Sequence, residues 1–224
     1  MKAKEFIEEE MLDEMPLPAD WDTSQFNDKT SYKARLAYAL DRAKKLGTGS
    51  SRVAMIIEYE GRPTVLKIAK NPKGLAQNEA EAAILDDGYT RQLNIAIPLI
   101  DYDMQHSKPI WIHTELAQKV TSKQLCNLLK VKDLYEIVQL SQAISGQSRF
   151  MKYQTLVDWW RKSGRAEQDI EVATDYANTL VDLANSFNVE LGDFGRAANW
   201  GLYKGHPVVI DVGFTSDVKA QHYS

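Results

Sequence analysis

A lysine within a run of apolar residues is the first feature of this sequence that suggests chemistry. Lys67 lies in the stretch 65–68 (VLKI), whose aliphatic residues predict a strand. An ammonium group in such a place must reach solvent or meet a fixed anion. The helical pattern at 77–85 offers two carboxylates, those of Glu79 and Glu81. Glu81 is the favoured partner because it precedes the apolar residues that would face the sheet. A solvated helix face with a snorkelling lysine is the alternative.

A turn of small residues precedes this strand. Gly47, Thr48, Gly49 and Ser50 form a segment in which backbone N–H groups can approach phosphate oxygens. Tight hairpin turns use the same residue types, so a simple turn is the other interpretation. Arg52 stands where the usual glycine-rich pattern has a third glycine. This departure leaves open how the loop would close on a phosphate.

Three polar residues near the end of the chain occur in an order that suggests a metal site. The β-branched run 208–210 delivers Asp211 at the end of a predicted strand, where a carboxylate can ligate Mg²⁺. Asn199 offers a neutral carbonyl oxygen for a second metal position. Asp193 would accept a proton from an attacking hydroxyl or orient it. Asp and Asn are also common turn residues, so the ordered set favours this interpretation more than any single member does.

Hydrophobic periodicity predicts the elements that must position these side chains. In the first half we expect strands at 53–59, 64–69, 97–102 and 110–116, the first two joined as a hairpin. We expect helices there at 32–45 and 77–85. After Gln118 the pattern becomes helical, at 124–129, 132–144, 154–162 and 167–187, before short strands return. The predicted fold class is therefore α+β, in two lobes with a cleft, divided near 116–121.

Charge and composition exclude several classes of function. The 224-residue chain has a net charge of −4 and no cluster of basic residues, which disfavours nucleic-acid binding. Its apolar runs are too short to span a bilayer and it shows no signal-peptide pattern, so we expect a cytoplasmic protein without membrane contact. Cys126 is the only cysteine, which excludes an intrachain disulfide, and we expect it to be buried. The four histidines share no spacing typical of metal ligands.

The acidic residues are concentrated at the front of the chain. Residues 1–30 hold nine of them against three lysines, and Pro16 and Pro18 interrupt any helix there. We expect an acidic N-terminal arm over 1–30, either solvated or docked on a basic partner. The remainder then divides into an N-terminal lobe, 31–117, and a C-terminal lobe, 118–224.

With these residues in this order, the sequence resembles the protein-kinase-like superfamily, and most closely the small kinase-like proteins of tailed bacteriophages. The resemblance covers residues 46–214. It is strongest at VLKI around Lys67 and between Asn199 and Asp211, where NWG is followed by VIDVG. It implies a protein-kinase-like two-lobed fold, with an antiparallel sheet and one main helix in the N-lobe and a reduced, mostly helical C-lobe.

The resemblance also implies a role for each candidate residue. Lys67 would hold the α- and β-phosphates of ATP and pair with Glu81. Thr114 would be the gatekeeper, and Glu115 and Ala117 would bound the hinge that meets adenine through its backbone. Asp193 would be the catalytic carboxylate, and Asn199 and Asp211 would be the Mg²⁺ ligands.

Several features depart from the family pattern. Asp193-Phe194-Gly195 spells the metal-binding motif of protein kinases, but we interpret the match as coincidental because 188–192 makes a poor strand and Asp211 follows a better one. The spacing from Asp193 to Asn199 is one residue longer than usual. Only eleven residues follow Gly213, so we expect minimal or differently built substrate recognition.

Three functional hypotheses follow. The leading one is an ATP- and Mg²⁺-dependent phosphotransferase that acts on Ser/Thr hydroxyls of host proteins. The second is a pseudokinase, a kinase-fold binding module that docks on a host protein without phosphotransfer. The third is a small-molecule kinase of the aminoglycoside or choline type, which the small helical lobe disfavours.

Overall fold

The chain folds into two compact units, each built around its own sheet or helix core. The computed structural model describes residues 21–148 and 151–223. Among the described residues, one unit contains residues 21–82 together with Pro98–Leu116, and the other contains Ala83–Ile97 together with residues 117–148 and 151–223. The division differs from the predicted lobes 31–117 and 118–224, because residues 83–97 belong with the C-terminal part. Two hydrogen bonds join residues 83–97 to the C-terminal part. The N–H of Ile97 donates to the carbonyl of Val209 over 3.0 Å, and the N–H of Val209 donates to the carbonyl of Ile95 over 2.7 Å.

The first unit is organised by an antiparallel sheet in the order β1-β2-β3-β5-β4. Its strands are β1 (Ala43–Thr48), β2 (Arg52–Tyr59), β3 (Arg62–Ala69), β4 (Leu99–Tyr102) and β5 (Trp111–Glu115). The predicted hairpin of β2 and β3 is confirmed. Its turn consists of Glu60 and Gly61, both with positive φ (53° and 72°), which matches the twist of the flanking strands.

Three helices accompany this sheet: α1 (Thr23–Asn27), α2 (Tyr32–Arg42) and α3 (Pro72–Asp86), with the boundary between the units falling inside α3, after Ala82. The prediction of a single helix over 32–45 is wrong at its end. Residues 43–48 instead form β1, whose Ala43 and Thr48 pair with Ile57 and Val53 of β2. Pairing with a neighbouring strand here outweighs the local helical pattern.

The sheet of the first unit has two different faces, because side chains alternate along each strand. One face packs against α1 and α2 in an apolar cluster that includes Met55, Leu66 and Trp111 from the strands and Trp21 and Phe26 from the N-terminal segment. Residues 21–30, which the sequence assigned to an acidic arm, therefore contribute to the core. Charge counting overlooked the two aromatic side chains. The first twenty residues of the predicted arm lie outside the described residues.

The second unit is mostly helical, as predicted. Its helices are α4 (Gly88–Leu93), α5 (Ser122–Leu129), α6 (Leu134–Ile144), α7 (Tyr153–Lys162), α8 (Glu167–Phe187) and α9 (Ser216–His222). Its strands β6 (Gln118–Lys119), β7 (Trp200–Tyr203) and β8 (His206–Val209) form an antiparallel sheet in chain order. The α+β class is thus confirmed, with the antiparallel sheet first and the helices after it. Within residues 21–148 and 151–223, no helix is long and apolar enough to cross a membrane.

Candidate functional site

Lys67 and Glu81 form a buried ion pair within the first unit. Lys67 lies in β3 opposite Ala54 and Ile112, so its side chain projects from the face that does not carry the aromatic cluster. The Nζ of Lys67 donates to Oε1 of Glu81 on α3. Glu81 is 0% exposed and Lys67 only 9%. The predicted contact is confirmed, while its role in binding a nucleotide stays a prediction.

The choice of Glu81 over Glu79 is also confirmed. Glu79 lies on the exposed side of α3, where its carboxylate pairs with Lys108 over 3.0 Å. The side chains of that surface pair are about half exposed. A pair in this environment adds little to stability, because water and salt screen it.

Arg52 is a residue of this group that sequence reasoning missed. Arg52 is 7% exposed, and its Nη1 donates to Oε2 of Glu81 over 2.5 Å and to Oδ1 of Asn78 over 3.3 Å. The sequence presented Arg52 only as a missing glycine. Strand alternation would have found it, because Arg52 lies two positions before Ala54, the residue that pairs with Lys67.

The small-residue segment is part strand and part turn. Gly47 and Thr48 belong to β1, where they pair with Ala54 and Val53, and the turn itself is 49–51. An added Cβ at Gly47 would meet no atom within 4 Å among the described residues, and its φ lies outside the left-handed region. Neither backbone geometry nor packing in the described chain therefore requires glycine there. A ligand that approaches the backbone closely would require it.

The turn is fastened to the segment that follows β3. The carbonyl of Gly49 accepts from Nζ of Lys70 over 2.7 Å, and the carbonyl of Ser50 accepts from Nδ2 of Asn71 over 3.0 Å. The Ser51 hydroxyl donates to Oε1 of Gln77 on α3. These three hydrogen bonds hold the turn to the residues after β3 and to α3.

The residues implied in adenine recognition fall in different units. Thr114 is buried in β5 opposite Val65, and by strand alternation it lies on the same face as Lys67. The N–H of Glu115 donates to the carbonyl of Pro98 over 3.0 Å, and its carboxylate pairs with Arg62. Ala117 belongs to the second unit and lies against Gly201, where an added Cβ would come within 2.5 Å of the Ala117 Cβ. Their role as a hinge stays a prediction.

Asp193, Asn199 and Asp211 are brought together in the second unit. Asp193 is buried in a 3-10 turn, Leu191–Gly195. The side-chain amide of Asn199 donates to the backbone carbonyl of Asp193 over 3.0 Å. The carbonyl of Asn199 accepts from the N–H of Ile210 over 2.8 Å, which brings the neighbouring Asp211 to the group.

The electrostatics of Asp193 reflect these neighbours. Burial raises the pKa of the Asp193 carboxyl above its ordinary value. Arg196, whose guanidinium lies 3.2 Å from the carboxylate, opposes the rise, and the negative charge of Asp211 adds to it. Asp193 is therefore a carboxylate under repulsion from a second carboxylate.

The interpretation of Asp193-Phe194-Gly195 as a coincidental match agrees with the local structure. The segment forms a 3-10 turn, and Phe194 is a core residue that lies edge-on to Trp200. The backbone carbonyl of Phe194 accepts from the indole N–H of Trp200 over 2.9 Å. Asp211, by contrast, follows the regular strand β8 after Ile210.

The side-chain oxygens of Asn199 and Asp211 are of the chemical type that binds Mg²⁺. The side chain of Asn199 uses its N–H₂ group on the Asp193 carbonyl, so its oxygen is oriented as an acceptor. An amide oxygen and a carboxylate are the hard ligands that Mg²⁺ takes, and this ion is commonly held by one or two carboxylates together with phosphates and water. The residues described by the structure contain no group of three or more His, Cys, Asp or Glu that could hold a metal. Asn199 and Asp211 thus offer two side-chain oxygens of the kind that Mg²⁺ takes.

Comparison with known proteins adds structural similarity at a low level. No protein-family model matches the sequence, and no curated protein matches it. A thermostable mutant of aminoglycoside phosphotransferase APH(4)-Ia, solved as a ternary complex with AMP-PNP and hygromycin B, aligns over 83% of this chain and 72% of its own, at 14% identity and a TM-score of 0.37. A further structure of APH(4)-Ia aligns over 86% and 72%, at 13% identity and a TM-score of 0.38. Scores this low do not assign the chain to a family.

Proposed function

We propose that this chain is an ATP- and Mg²⁺-dependent phosphotransferase of protein-kinase-like fold. The observation that carries the proposal is the buried ion pair of Lys67 on β3 and Glu81 on α3. A buried pair of this kind is a costly way to gain stability, because desolvation offsets most of the attraction. A function that needs a fixed ammonium group, such as binding phosphate, accounts for it.

The chain's own residues divide the work of the reaction. Lys67 binds the α- and β-phosphates, and Glu81 keeps its ammonium group in place. The backbone of the segment 47–50 (Gly47, Thr48, Gly49 and Ser50) lies against the phosphates. Asn199 and Asp211 would hold Mg²⁺, which neutralises phosphate charge when bound.

Asp193 receives the proton of the acceptor hydroxyl. Its raised pKa makes this carboxylate a stronger base than an exposed aspartate. Arg196 pairs with it from an exposed position, the arginine side chain being 72% exposed, so an incoming acceptor can displace the arginine at small cost.

The acceptor in this proposal is a Ser or Thr hydroxyl of a host protein, on the strength of the sequence resemblance to phage kinase-like proteins. A binding module without transfer is a second candidate, favoured by the spacing from Asp193 to Asn199, which is one residue longer than in the kinase pattern. The two candidates differ in whether phosphate leaves ATP, which a transfer assay measures directly.

The test measures ATP affinity and transfer of labelled γ-phosphate in the presence of Mg²⁺. Wild type is compared with Lys67→Met and Asp211→Asn, and the acceptors are the protein itself, proteins of a host lysate and a free aminoglycoside. Lys108→Met and Asp217→Asn are matched controls, because both remove a charge from the exposed surface. The proposal is supported if wild type and both controls transfer phosphate to protein, and Lys67→Met and Asp211→Asn do not.

The other outcomes are equally informative. Binding of ATP without transfer favours the binding module, and transfer to the aminoglycoside alone overturns the protein acceptor. Absence of ATP binding by wild type overturns the proposed function.

A further inference from the structure

Glu81 is held between two cations that come from neighbouring strands. Oε1 accepts from the Lys67 ammonium group on β3, and Oε2 accepts from Nη1 of Arg52 on β2 over 2.5 Å. Both cations and the carboxylate are buried. A carboxylate whose two oxygens each meet a different cation has one preferred rotamer, because any rotation breaks a contact in a medium of low dielectric.

Arg52 also joins the small-residue turn to α3. Its backbone carbonyl accepts from the N–H of Gly49 over 2.9 Å, which closes the turn. Its guanidinium contacts Asn78, one turn of helix before Glu81. The side-chain amide of Asn78 in turn donates to the carbonyls of Pro109 and Ile110, over 3.1 and 2.9 Å. Through its backbone and its side chain, Arg52 thus links the small-residue turn, the sheet and α3.

We propose that Arg52 is a positioning residue, which holds the Glu81 carboxylate so that Glu81 in turn fixes the Lys67 ammonium group for phosphate. This inference rests on the proposed function, since phosphate is the ligand for which Lys67 is fixed. Arg52 acts through Glu81 and does not itself contact the nucleotide. This role explains why an arginine follows the turn where a third glycine is usual, because Arg52 keeps Lys67 and Glu81 paired in the free protein.

The test is a double-mutant cycle on ATP affinity and steady-state kinetics. Arg52→Gln keeps hydrogen-bonding capacity and removes the charge, whereas Arg52→Lys keeps the charge. We expect Arg52→Gln to weaken ATP binding about tenfold, with KM affected more than kcat, and Arg52→Lys to recover most of the loss. In a Glu81→Gln background, the same Arg52→Gln change is expected to cost less than about twofold.

Two results would overturn the inference. An equal loss in both backgrounds means that Arg52 acts on the nucleotide directly. An unchanged affinity in Arg52→Gln means that Glu81 needs no second cation. Lys108→Gln serves as the control, since it removes a lysine from the exposed pair with Glu79.

A second cycle, on chemical unfolding of the free protein, separates this inference from the proposed function. If wild type does not bind ATP, the proposed function fails, but the contact of Arg52 with Glu81 is still tested. Strong coupling between Arg52→Gln and Glu81→Gln supports the inference, and additive losses overturn it. Should Glu81→Gln fail to fold, Lys67→Met replaces it in the cycle, because Lys67 and Arg52 contact the two oxygens of the same Glu81 carboxylate.

Discussion

Lys67 and Asp193 are both buried and charged, but the structure holds them by different kinds of interaction. Lys67 extends from a regular strand, and side chains fix it: Glu81 contacts Lys67 and is itself contacted by Arg52. Asp193 lies in a 3-10 turn that uncharged hydrogen bonds hold: the side-chain amide of Asn199 donates to the backbone carbonyl of Asp193, and the backbone N–H of Ile210 donates to the backbone carbonyl of Asn199. Ion pairs therefore position Lys67, whereas uncharged hydrogen bonds to backbone carbonyls position Asp193.

Because of this difference, we expect mutations at the two sites to affect stability and activity to different extents. Removing a charge from the Lys67 group leaves buried charges of the other sign in place, which is costly. Removing a charge from the Asp193 group leaves the turn that supports it intact. Mutations in the group of Lys67, Glu81 and Arg52 should therefore lower the free energy of unfolding. Mutations at Asp193 should mainly lower activity.

The largest expected effect comes from removing the shared carboxylate. Glu81→Ala takes away the anion that both Lys67 and Arg52 contact, and we expect a loss of about 3–5 kcal/mol in the free energy of unfolding. Glu79→Ala, on the exposed side of the same helix, should cost less than about 1 kcal/mol. Urea unfolding measures both. Equal losses would mean that the buried network does not support the Lys67 group.

A buried histidine of the same sheet sharpens the comparison, since it is held neutral. His113 hydrogen-bonds to the Thr64 hydroxyl and lies edge-on to Tyr59. Burial, with a contribution from the charge of Arg62, lowers its pKa from 6.5 to about 4. The unfolded chain therefore binds this proton more readily than the folded one, and stability is lost as the pH falls from 6.5 towards 4.

The loss assigned to His113 amounts to about 3 kcal/mol once the pH is below 4. Unfolding measured between pH 7 and pH 4 should show it in wild type and show a smaller change in His113→Gln. The control His206→Gln alters an exposed histidine and should keep the wild-type profile. An identical pH dependence in all three proteins would contradict the neutral buried state.

A smaller effect on stability is expected at Asn199. Asn199→Ala removes one hydrogen bond to the Asp193 carbonyl, which should cost about 1 kcal/mol in the free energy of unfolding. Phosphotransfer, in contrast, should fall far more than stability does, because the substitution also removes a proposed Mg²⁺ ligand. Parallel measurement of unfolding and of transfer distinguishes the two effects. Full transfer by Asn199→Ala would remove Asn199 from the metal site.

The smallest effect is expected at Arg196. Its ion pair with Asp193 is mostly exposed on the arginine side, so Arg196→Ala should change the free energy of unfolding by less than about 1 kcal/mol. Arg165→Ala is the matched contrast within the second unit. Arg165 is partly buried, with its side chain only 9% exposed; it pairs with Glu136 at 2.7 Å and stacks on Trp160, and its loss should destabilise the protein clearly. Comparable losses in thermal unfolding would show that exposure does not separate these pairs.

The parts of the structure that the sequence predicted are those where one local pattern determines the result. Alternation predicted the hairpin of β2 and β3, and helical periodicity predicted α8 with its observed ends. The contact of Lys67 with Glu81 followed from the same logic, since a buried ammonium group needs an anion and Glu81 stands on the apolar side of α3. The mostly helical second unit was predicted from the change in period alone.

The parts that were not predicted depend on partners distant in sequence. Residues 43–45 continue a helical pattern but pair with β2 as a strand. Residues 83–97 lie in the first half of the chain but hydrogen-bond to Val209. Arg52 joins the site through a contact with a residue 29 positions away. In each case a long-range interaction, rather than the local pattern, decided the outcome.

The aromatic cluster on the other face of the sheet has a practical consequence for handling the protein. Trp21 and Phe26 cover Met55, Leu66 and Trp111, and the indole N–H of Trp111 donates to Asn27 over 2.9 Å. A version trimmed to begin at residue 31 would leave a large apolar face open to water, and such faces drive self-association. A version that begins at residue 21 keeps this cover while it omits most of the acidic residues at the front. Solubility should therefore depend on these ten residues more than on the charge that precedes them.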